Sequence, residues 1–294
     1  MQRTKQGQDG ASPLISVLDA SSKDSVLTQL QLVRGFDAVR RRLEGLLAID
    51  LSPEGRGLES EVGGILLGVV GLSADGDPKS ATYSLLKAFG LATDLELVRD
   101  HDPGLFRVLK RRLQTDQRSQ YYGTRCELAT AAAFIKKGIA FRQGKAGSEP
   151  DFILPVPDGE LGVECTSAHR TGDTSAKDLA YKVSAAIGAK RRKRYHRSNV
   201  VLGLDYTNLL FEAADPNLLV HPNTRATFAA ALEATHFGAL LLFAYHVDET
   251  TGDYFRTYQR IDRAHAPRVV QRFLDEHYPP TGRNLFQVAI PVAG

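Results

Sequence analysis

Apolar residues recur at helical spacing through the first third of the chain. Residues 24–49 carry them three or four positions apart, which predicts a long amphipathic helix. Further helices are predicted over residues 59–72, 79–92 and 103–114. Because few strand patterns interrupt these helices, residues 1–115 are predicted to form a helical N-terminal accessory domain.

After residue 115 the pattern changes to mixed helices and strands. A helix is predicted over residues 117–137, and Gly138 is placed to end it. Three strands, a helix and a fourth strand follow, over residues 139–143, 151–156, 161–167, 175–194 and 199–206. Beyond them are predicted a helix over 223–235, strands over 237–247 and 254–260, a helix over 268–277 and an edge strand over 284–291. Residues 116–294 are therefore predicted to be an α/β domain with a mixed central sheet.

Three acidic residues stand at the junctions of this pattern. Glu127 lies within the helix, Asp151 opens one strand and Glu164 lies near the end of the next. Residues 157–160 have the composition of a hairpin turn, so the two strands are expected side by side with Asp151 near Glu164. Two carboxylates held close repel each other unless a cation lies between them. Oxygen ligands of this kind suit Mg²⁺ or Mn²⁺.

Pro150 and Asp151 are followed by Glu164, thirteen residues after Asp151, and by Cys165. This motif resembles that of the PD-(D/E)xK nucleases, which have the restriction-endonuclease-like fold. The order α-β-β-β-α-β over residues 117–206 matches the core of that superfamily. The resemblance implies a divalent-metal-dependent endonuclease in which Asp151, Glu164 and the backbone carbonyl of Cys165 ligate Mg²⁺ or Mn²⁺. It also implies that Glu127 binds this metal through water, or binds a second one.

Thr166 stands where the family has its lysine, which orients or deprotonates the attacking water. Members of the superfamily also place this lysine on the following helix, where this chain has Lys177, Lys182 and Lys190. Lys190 follows a row of apolar residues at helical spacing that is expected to face inward: Leu179, Val183 and Ile187. A lysine on an apolar face is costly unless it is paired with an opposite charge. Lys190 is therefore the first candidate and Lys182 the second. The alternative is that Lys190 belongs to the solvated end of its helix.

Residues 177–197 carry eight Lys or Arg against one Asp. Beside an acidic metal centre, this cluster favours a polyanionic substrate. The candidate nucleic-acid-binding residues are Lys177, Arg191, Arg192, Lys193, Arg194 and Arg197. Basic residues at a helix C-terminus also complement the helix dipole, so part of the cluster needs no functional cause.

Several other polar residues have two interpretations each. The helix over 103–114 carries a basic run that either contacts phosphates or forms a solvated face, which is the more frequent outcome; the run consists of Arg107, Lys110, Arg111 and Arg112. Tyr195 and His196 either stack on bases or simply pack at the surface. His169 either meets a phosphate or serves its loop, and Asp205 is expected to cap the loop that follows it.

The composition of the chain limits the kinds of protein that it can be. The hydrophobic fraction of 43% is ordinary for a globular protein, and a net charge of +3 means that anion affinity must come from local clusters. Cys126 and Cys165 are expected to be small buried residues in a reducing compartment. The polar N-terminus and the short apolar runs predict a cytoplasmic protein with no membrane association. The sequence has no P-loop, serine-hydrolase or dinucleotide motif.

Three functional hypotheses follow from the sequence. The first is a metal-dependent nuclease that acts on DNA more readily than on RNA, in defence, restriction or repair. The second is an inactive nuclease-like module that binds nucleic acid or a protein partner, which the missing lysine supports. The third is a purely structural set of ion pairs without metal. A homodimer or a partner protein bound through the N-terminal helices is compatible with each of them.

Overall fold

The structure is a computed structural model that describes residues 29–115, 117–169, 176–193, 195, 197–211, 222–247, 254–279 and 283–284. The chain divides into two compact units between Ala92 and Thr93. Of the described residues, 29–92, 247 and 254 belong to the first unit and the rest belong to the second. The predicted domain boundary at residue 115 concerns independent folding and stays a prediction.

The first unit consists of helices. Helix α1 spans Gln29–Leu47, a short 3₁₀ helix spans Arg56–Glu59, and α2 spans Glu61–Ala74. Helix α3, Pro78–His101, begins in this unit. Ser60 caps α2, because its hydroxyl accepts a hydrogen bond from the backbone N–H of Gly63 at 3.1 Å. Helices α1 and α3 approach closely at Gly35, where an added Cβ would lie 2.7 Å from the side chain of Leu85.

The helices of the second unit begin with α4, Pro103–Leu113, and α5, Arg118–Lys136. Asp102 caps α4 by accepting hydrogen bonds from the backbone N–H groups of Gly104 and Leu105, each at 2.9 Å. The remaining described helices are α6, Ala176–Lys190; α7, Thr207–Phe211; α8, Pro222–Glu233; and α9, Arg268–His277.

Within the described residues, the sheet contains seven strands in the order of the chain. These are β1, Arg142–Gln143; β2, Phe152–Val156; β3, Gly159–Ser167; β4, Val200–Asp205; β5, Ala239–Val247; β6, Tyr254–Asp262; and β7, Arg283–Asn284. Strands β1, β2 and β3 pair antiparallel, whereas β3, β4 and β5 pair parallel. The sheet is therefore mixed, as the sequence predicts.

Strand β3 lies between two helical layers. Helix α5 packs against β3 and β4, and its Phe134 contacts Phe152 of β2 edge-on, with ring centroids 5.8 Å apart. On the other face, α6 contributes Leu179, Val183 and Ile187 to the main hydrophobic core, and β4 contributes Leu202. Both faces of β3 and β4 are therefore covered, which explains why β4 is buried along its whole length and carries no polar side chain before Asp205.

The mixed α/β class is confirmed, and the order α5-β1-β2-β3-α6-β4 is the predicted one. Helix α3 runs to residue 101 rather than 92, and β1 has two residues where five were predicted. Residues 24–28 of the first predicted helix and 285–291 of the edge strand lie outside the described residues. None of the described helices is long and apolar enough to cross a membrane.

Candidate active site

The hairpin of β2 and β3 places Asp151 next to Glu164. Gly159 begins β3 with φ 127°, a backbone conformation that glycine adopts without strain, and the chain turns back over two residues. The ladder pairs Phe152 with Val163, so one further step places Asp151 opposite Glu164. Residues directly opposite on antiparallel strands share a face of the sheet. Glu164 faces the layer that contains α6, since Lys190 of that helix reaches its carboxylate. Asp151 lies within reach of the charges of both Glu127 of α5 and Glu164.

The backbone of Asp151 is held by a close approach to Gly144. The N–H of Gly144 donates to the carbonyl oxygen of Asp151 at 2.9 Å. A Cβ at residue 144 would lie 1.7 Å from the carbonyl oxygen of Pro150, so only glycine fits there without a backbone shift. The Asp151 side chain is fixed as well, since its Oδ2 accepts a hydrogen bond from the backbone N–H of Cys165 at 2.7 Å.

The cluster around Asp151 has too little positive charge for all its acids. Burial raises the pKa of Asp151 well above its ordinary value, and the negative charges of Glu127 and Glu164 raise it further. Lys190 and the N–H of Cys165 oppose this increase without cancelling it. In the absence of another cation, the site therefore favours a proton on Asp151.

Glu164 is buried, with 1% of its surface exposed, and receives a lysine from α6. Nζ of Lys190 lies 2.5 Å from Oε1 of Glu164 and also donates to the carbonyl oxygen of Cys165 at 2.9 Å. Burial lowers the pKa of Lys190, but the charge and hydrogen bond of Glu164 outweigh it, so the net direction is upward and the ammonium stays charged. Lys190 thus points into the site, as the inward apolar row predicted.

The second oxygen of Glu164, Oε2, is buried and has no hydrogen-bond partner within the described part of the chain. The phenol of Tyr195 lies near this carboxylate. Burial, followed by the charge of Glu164 and a hydrogen bond to that carboxylate, raises the pKa of Tyr195, so the phenol is a neutral donor beside Glu164. Tyr195 is buried rather than displayed at the surface, which contradicts the surface positions considered for it, and His196 lies outside the described residues.

Glu127 is held by an arginine that was not singled out from the sequence. It is 6% exposed on α5, and Arg112 of α4 binds both of its oxygens: Nη1 donates to Oε2 at 2.6 Å and Nη2 donates to Oε1. Burial lowers the pKa of Arg112, but Glu127 outweighs it and the net direction is upward. One sequence signal was available: Arg112 lies three and seven residues after the buried Leu109 and Leu105, which places it beside the inward face of α4.

Two other predicted residues, Lys182 and His169, lie close to each other. Lys182 lies about two helical turns before Lys190, and its charge acts on His169. Burial comes first among the causes that lower the pKa of His169, and Arg118 and Lys182 follow. The exposed basic residues after α6 are Arg191, Arg192, Lys193 and Arg197. The side chain of Lys177 and all of Arg194 lie outside the described part of the structure.

Two smaller predictions are confirmed. Oδ1 of Asp205 accepts hydrogen bonds from the backbone N–H of Thr207 at 2.9 Å and from its hydroxyl at 2.5 Å, so Asp205 caps the start of α7. Cys126 and Cys165 are both buried thiols. Burial, followed by the neighbouring Cys126, raises the pKa of Cys165, which makes its thiol unreactive.

The donor set fits a divalent ion only in part. No group of three His, Cys, Asp or Glu side chains is placed to hold a metal among the residues described. Glu127 is already bound by Arg112, and the carbonyl of Cys165 already accepts a hydrogen bond from Lys190. Asp151 and the unpartnered Oε2 of Glu164 remain. Mg²⁺ commonly binds through one or two carboxylates together with waters and substrate phosphates, so this pair fits such a site better than an all-protein cage.

Comparison with known proteins does not assign this chain to a family. No family model, curated protein or solved structure matches this chain.

Proposed function

We propose that this chain is a divalent-metal-dependent nuclease that hydrolyses phosphodiester bonds, with DNA as the favoured substrate. The observation that carries the proposal is the position of Lys190. Its ammonium group reaches Glu164 and the Cys165 carbonyl from α6, beside Asp151. This is the chemistry that the resemblance to PD-(D/E)xK nucleases assigns to a lysine after Glu164, where this chain has Thr166.

Charge supports a cation at this site. Three carboxylates (Glu127, Asp151 and Glu164) face two cationic side chains (Arg112 and Lys190), which leaves a formal charge of −1 when all five are ionised. Asp151 and Oε2 of Glu164 would hold Mg²⁺ or Mn²⁺. The bound ion would supply a water of lowered pKa and positive charge beside the scissile phosphate.

The residues of the chain itself have distinct roles in this proposal. The N–H of Cys165 orients the side chain of Asp151, and Lys190 orients that of Glu164. Both carboxylates are therefore already in position before substrate binds. Nζ of Lys190 is a charged donor that can orient the attacking water or a phosphate oxygen. The exposed Arg191, Arg192, Lys193 and Arg197 provide the sequence-independent attraction to a phosphate backbone.

Cleavage of supercoiled plasmid and of short DNA and RNA duplexes, with Mg²⁺, Mn²⁺ or EDTA, tests the proposal. We expect metal-dependent cutting that Asp151→Asn and Glu164→Gln each abolish. Asp158→Asn is the matched control, because Asp158 is a carboxylate of the same hairpin that pairs at the surface with Arg272 at 2.7 Å. Cutting that survives in both site variants, or a wild-type chain that cuts none of the substrates, would refute the proposal.

The lysine assignment has its own test. Lys190→Met is expected to remove cleavage while the metal affinity stays within about tenfold of wild type. Lys182→Met, on the same helix, is expected to cut normally. Full activity of Lys190→Met would show that another group has this role.

A second candidate function has a specific observation in its favour. Lys190 occupies the Cys165 carbonyl and Arg112 occupies Glu127, so two groups that the resemblance assigns to metal are already bound by cations. Such a cluster suits a nuclease-like module that binds nucleic acid without cutting it. A salt-dependent gel shift that persists in EDTA, without cleavage in any metal, would favour this function over the first.

A further inference from the structure

Arg112 and Glu127 form the most fully satisfied pair in the acidic cluster. The two terminal nitrogens of the guanidinium each meet one oxygen of the carboxylate, which is the fork-to-fork geometry that Arg adopts with carboxylates. Lys190, by comparison, reaches only one oxygen of Glu164 and leaves the other unpartnered among the described residues. The two acids therefore differ in what they can still bind.

Arg112 comes from a helix that is firmly held. Leu105, Leu109 and Leu113 are all buried along one side of α4, Asp102 caps its first turn, and α4 packs against α5, which carries Glu127. The side chain of Arg112 is 34% exposed, so one side of the pair borders solvent while Glu127 remains inside. Arg112 is thus fixed by its own helix at the position where it covers both oxygens of Glu127.

We propose that Arg112 is a positioning residue that binds both oxygens of Glu127 and so keeps them from a metal ion. The centre then binds one divalent ion, through Asp151 and Glu164, and not two. The inference rests on the proposed function. A second ion near Glu127 would have to displace a bidentate guanidinium from a buried carboxylate. Glu127 then acts only through its negative charge, and its oxygens are not metal ligands.

Metal stoichiometry tests the inference without reference to activity. Mn²⁺ bound to the full chain is counted by isothermal titration calorimetry and by electron paramagnetic resonance, under conditions in which far-UV circular dichroism shows a folded protein. The wild type is expected to bind one Mn²⁺. Arg112→Met, which keeps the length of the side chain and removes its donors, is expected to bind two. Arg111→Met, at the exposed neighbouring position of α4, is the matched control and is expected to bind one.

Glu127→Gln decides the question independently if Arg112→Met does not fold. Its amide can still accept a hydrogen bond from Arg112, and we expect one Mn²⁺, bound more weakly than by the wild type because one negative charge beside the site is lost. A folded Glu127→Gln chain that binds no Mn²⁺ would show that Glu127 is a metal ligand and would overturn the inference. The double variant Arg112→Met/Glu127→Gln is expected to return the count to one.

Failure of the inference differs from failure of the proposed function. Two Mn²⁺ ions on the wild type, or one on a folded Arg112→Met, would overturn the role of Arg112 and leave the nuclease proposal standing. No Mn²⁺ on the wild type, or binding that Asp151→Asn does not weaken, would overturn both.

Discussion

Replacement of Lys190 by methionine is expected to destabilise the fold substantially, whatever the function of the site. The ammonium group neutralises Glu164, which is 1% exposed, and also satisfies the carbonyl of Cys165. Methionine has a similar length but offers neither charge nor donor. The variant therefore leaves a buried carboxylate and a backbone carbonyl without their partner.

The magnitude follows from the burial of the pair. Removal of one member of a buried ion pair costs about 3–5 kcal/mol, because the remaining charge is left uncompensated. The Lys190 side chain is 20% exposed, so water reaches part of the site and the lower half of this range is expected. Against a total stability of about 5–15 kcal/mol, this is a large fraction. With a urea m-value of about 3 kcal/mol/M, the midpoint is expected to fall by about 1 M.

Urea titration followed by far-UV circular dichroism and tyrosine fluorescence measures this change, since the chain has ten tyrosines and no tryptophan. Lys193→Met, at an exposed position just after α6, is the control and is expected within about 0.5 kcal/mol of wild type. Glu164→Gln/Lys190→Met is expected to be more stable than Lys190→Met alone, because it removes the stranded charge. A loss below about 1 kcal/mol in Lys190→Met, or a double variant no more stable than it, would refute the buried ion pair.

Three further perturbations test other parts of the structure. Without divalent ions, Asp151→Asn is expected to be more stable than wild type at neutral pH and equally stable below the ordinary Asp pKa of 3.8. The reason is that an acid whose pKa is raised by folding loses stability for the folded state as pH rises from its unfolded to its folded pKa. Urea titrations at both pH values check this, and a variant less stable than wild type at neutral pH would contradict it. Gly144→Ala is expected to lower the free energy of unfolding by about 1–3 kcal/mol, because its Cβ meets the Pro150 carbonyl. Gly188→Ala in α6, where the added Cβ meets open space, is expected to raise the free energy of unfolding by up to about 1 kcal/mol. Equal effects of the two variants in thermal unfolding would argue against the close approach of residue 144 to Pro150. Arg256 is buried, and its Nε and Nη2 have no hydrogen-bond partner among the described residues, although its guanidinium lies 3.7 Å from the ring centroid of Phe243. Arg256→Met is therefore expected to lose no more than about 2 kcal/mol. A loss beyond about 3 kcal/mol would point to an anion paired with Arg256.

The hairpin that carries the site could be predicted from the sequence because its signals are local. Apolar runs mark both strands, and the turn residues at 157–160 predict that the strands pair side by side. The register itself was not predicted, because the connection is shorter than the predicted turn: only Pro157 and Asp158 join the strands, and Val156 pairs with Gly159. That register brings Asp151 next to Glu164. The inward direction of Lys190 followed from the same kind of argument, through its helical spacing from Val183 and Ile187.

The partner of Glu127 could not be obtained in the same way. Arg112 and Glu127 are fifteen residues apart on two helices, and their contact depends on how α4 packs against α5, which no local pattern specifies. The basic run at the end of α4 also concealed Arg112, because its neighbour Arg111 is an ordinary exposed charge. Tyr195 was misplaced for a similar reason: a basic segment predicts a solvated surface, yet its phenol is buried beside Glu164.

A crystal structure of the chain grown with Mn²⁺ tests the central claim most directly, because anomalous scattering locates the ion without assumption. We predict one Mn²⁺ peak at coordination distance from a carboxylate oxygen of Asp151 and from Oε2 of Glu164. A well-ordered site with no Mn²⁺ peak between these two carboxylates would contradict the account.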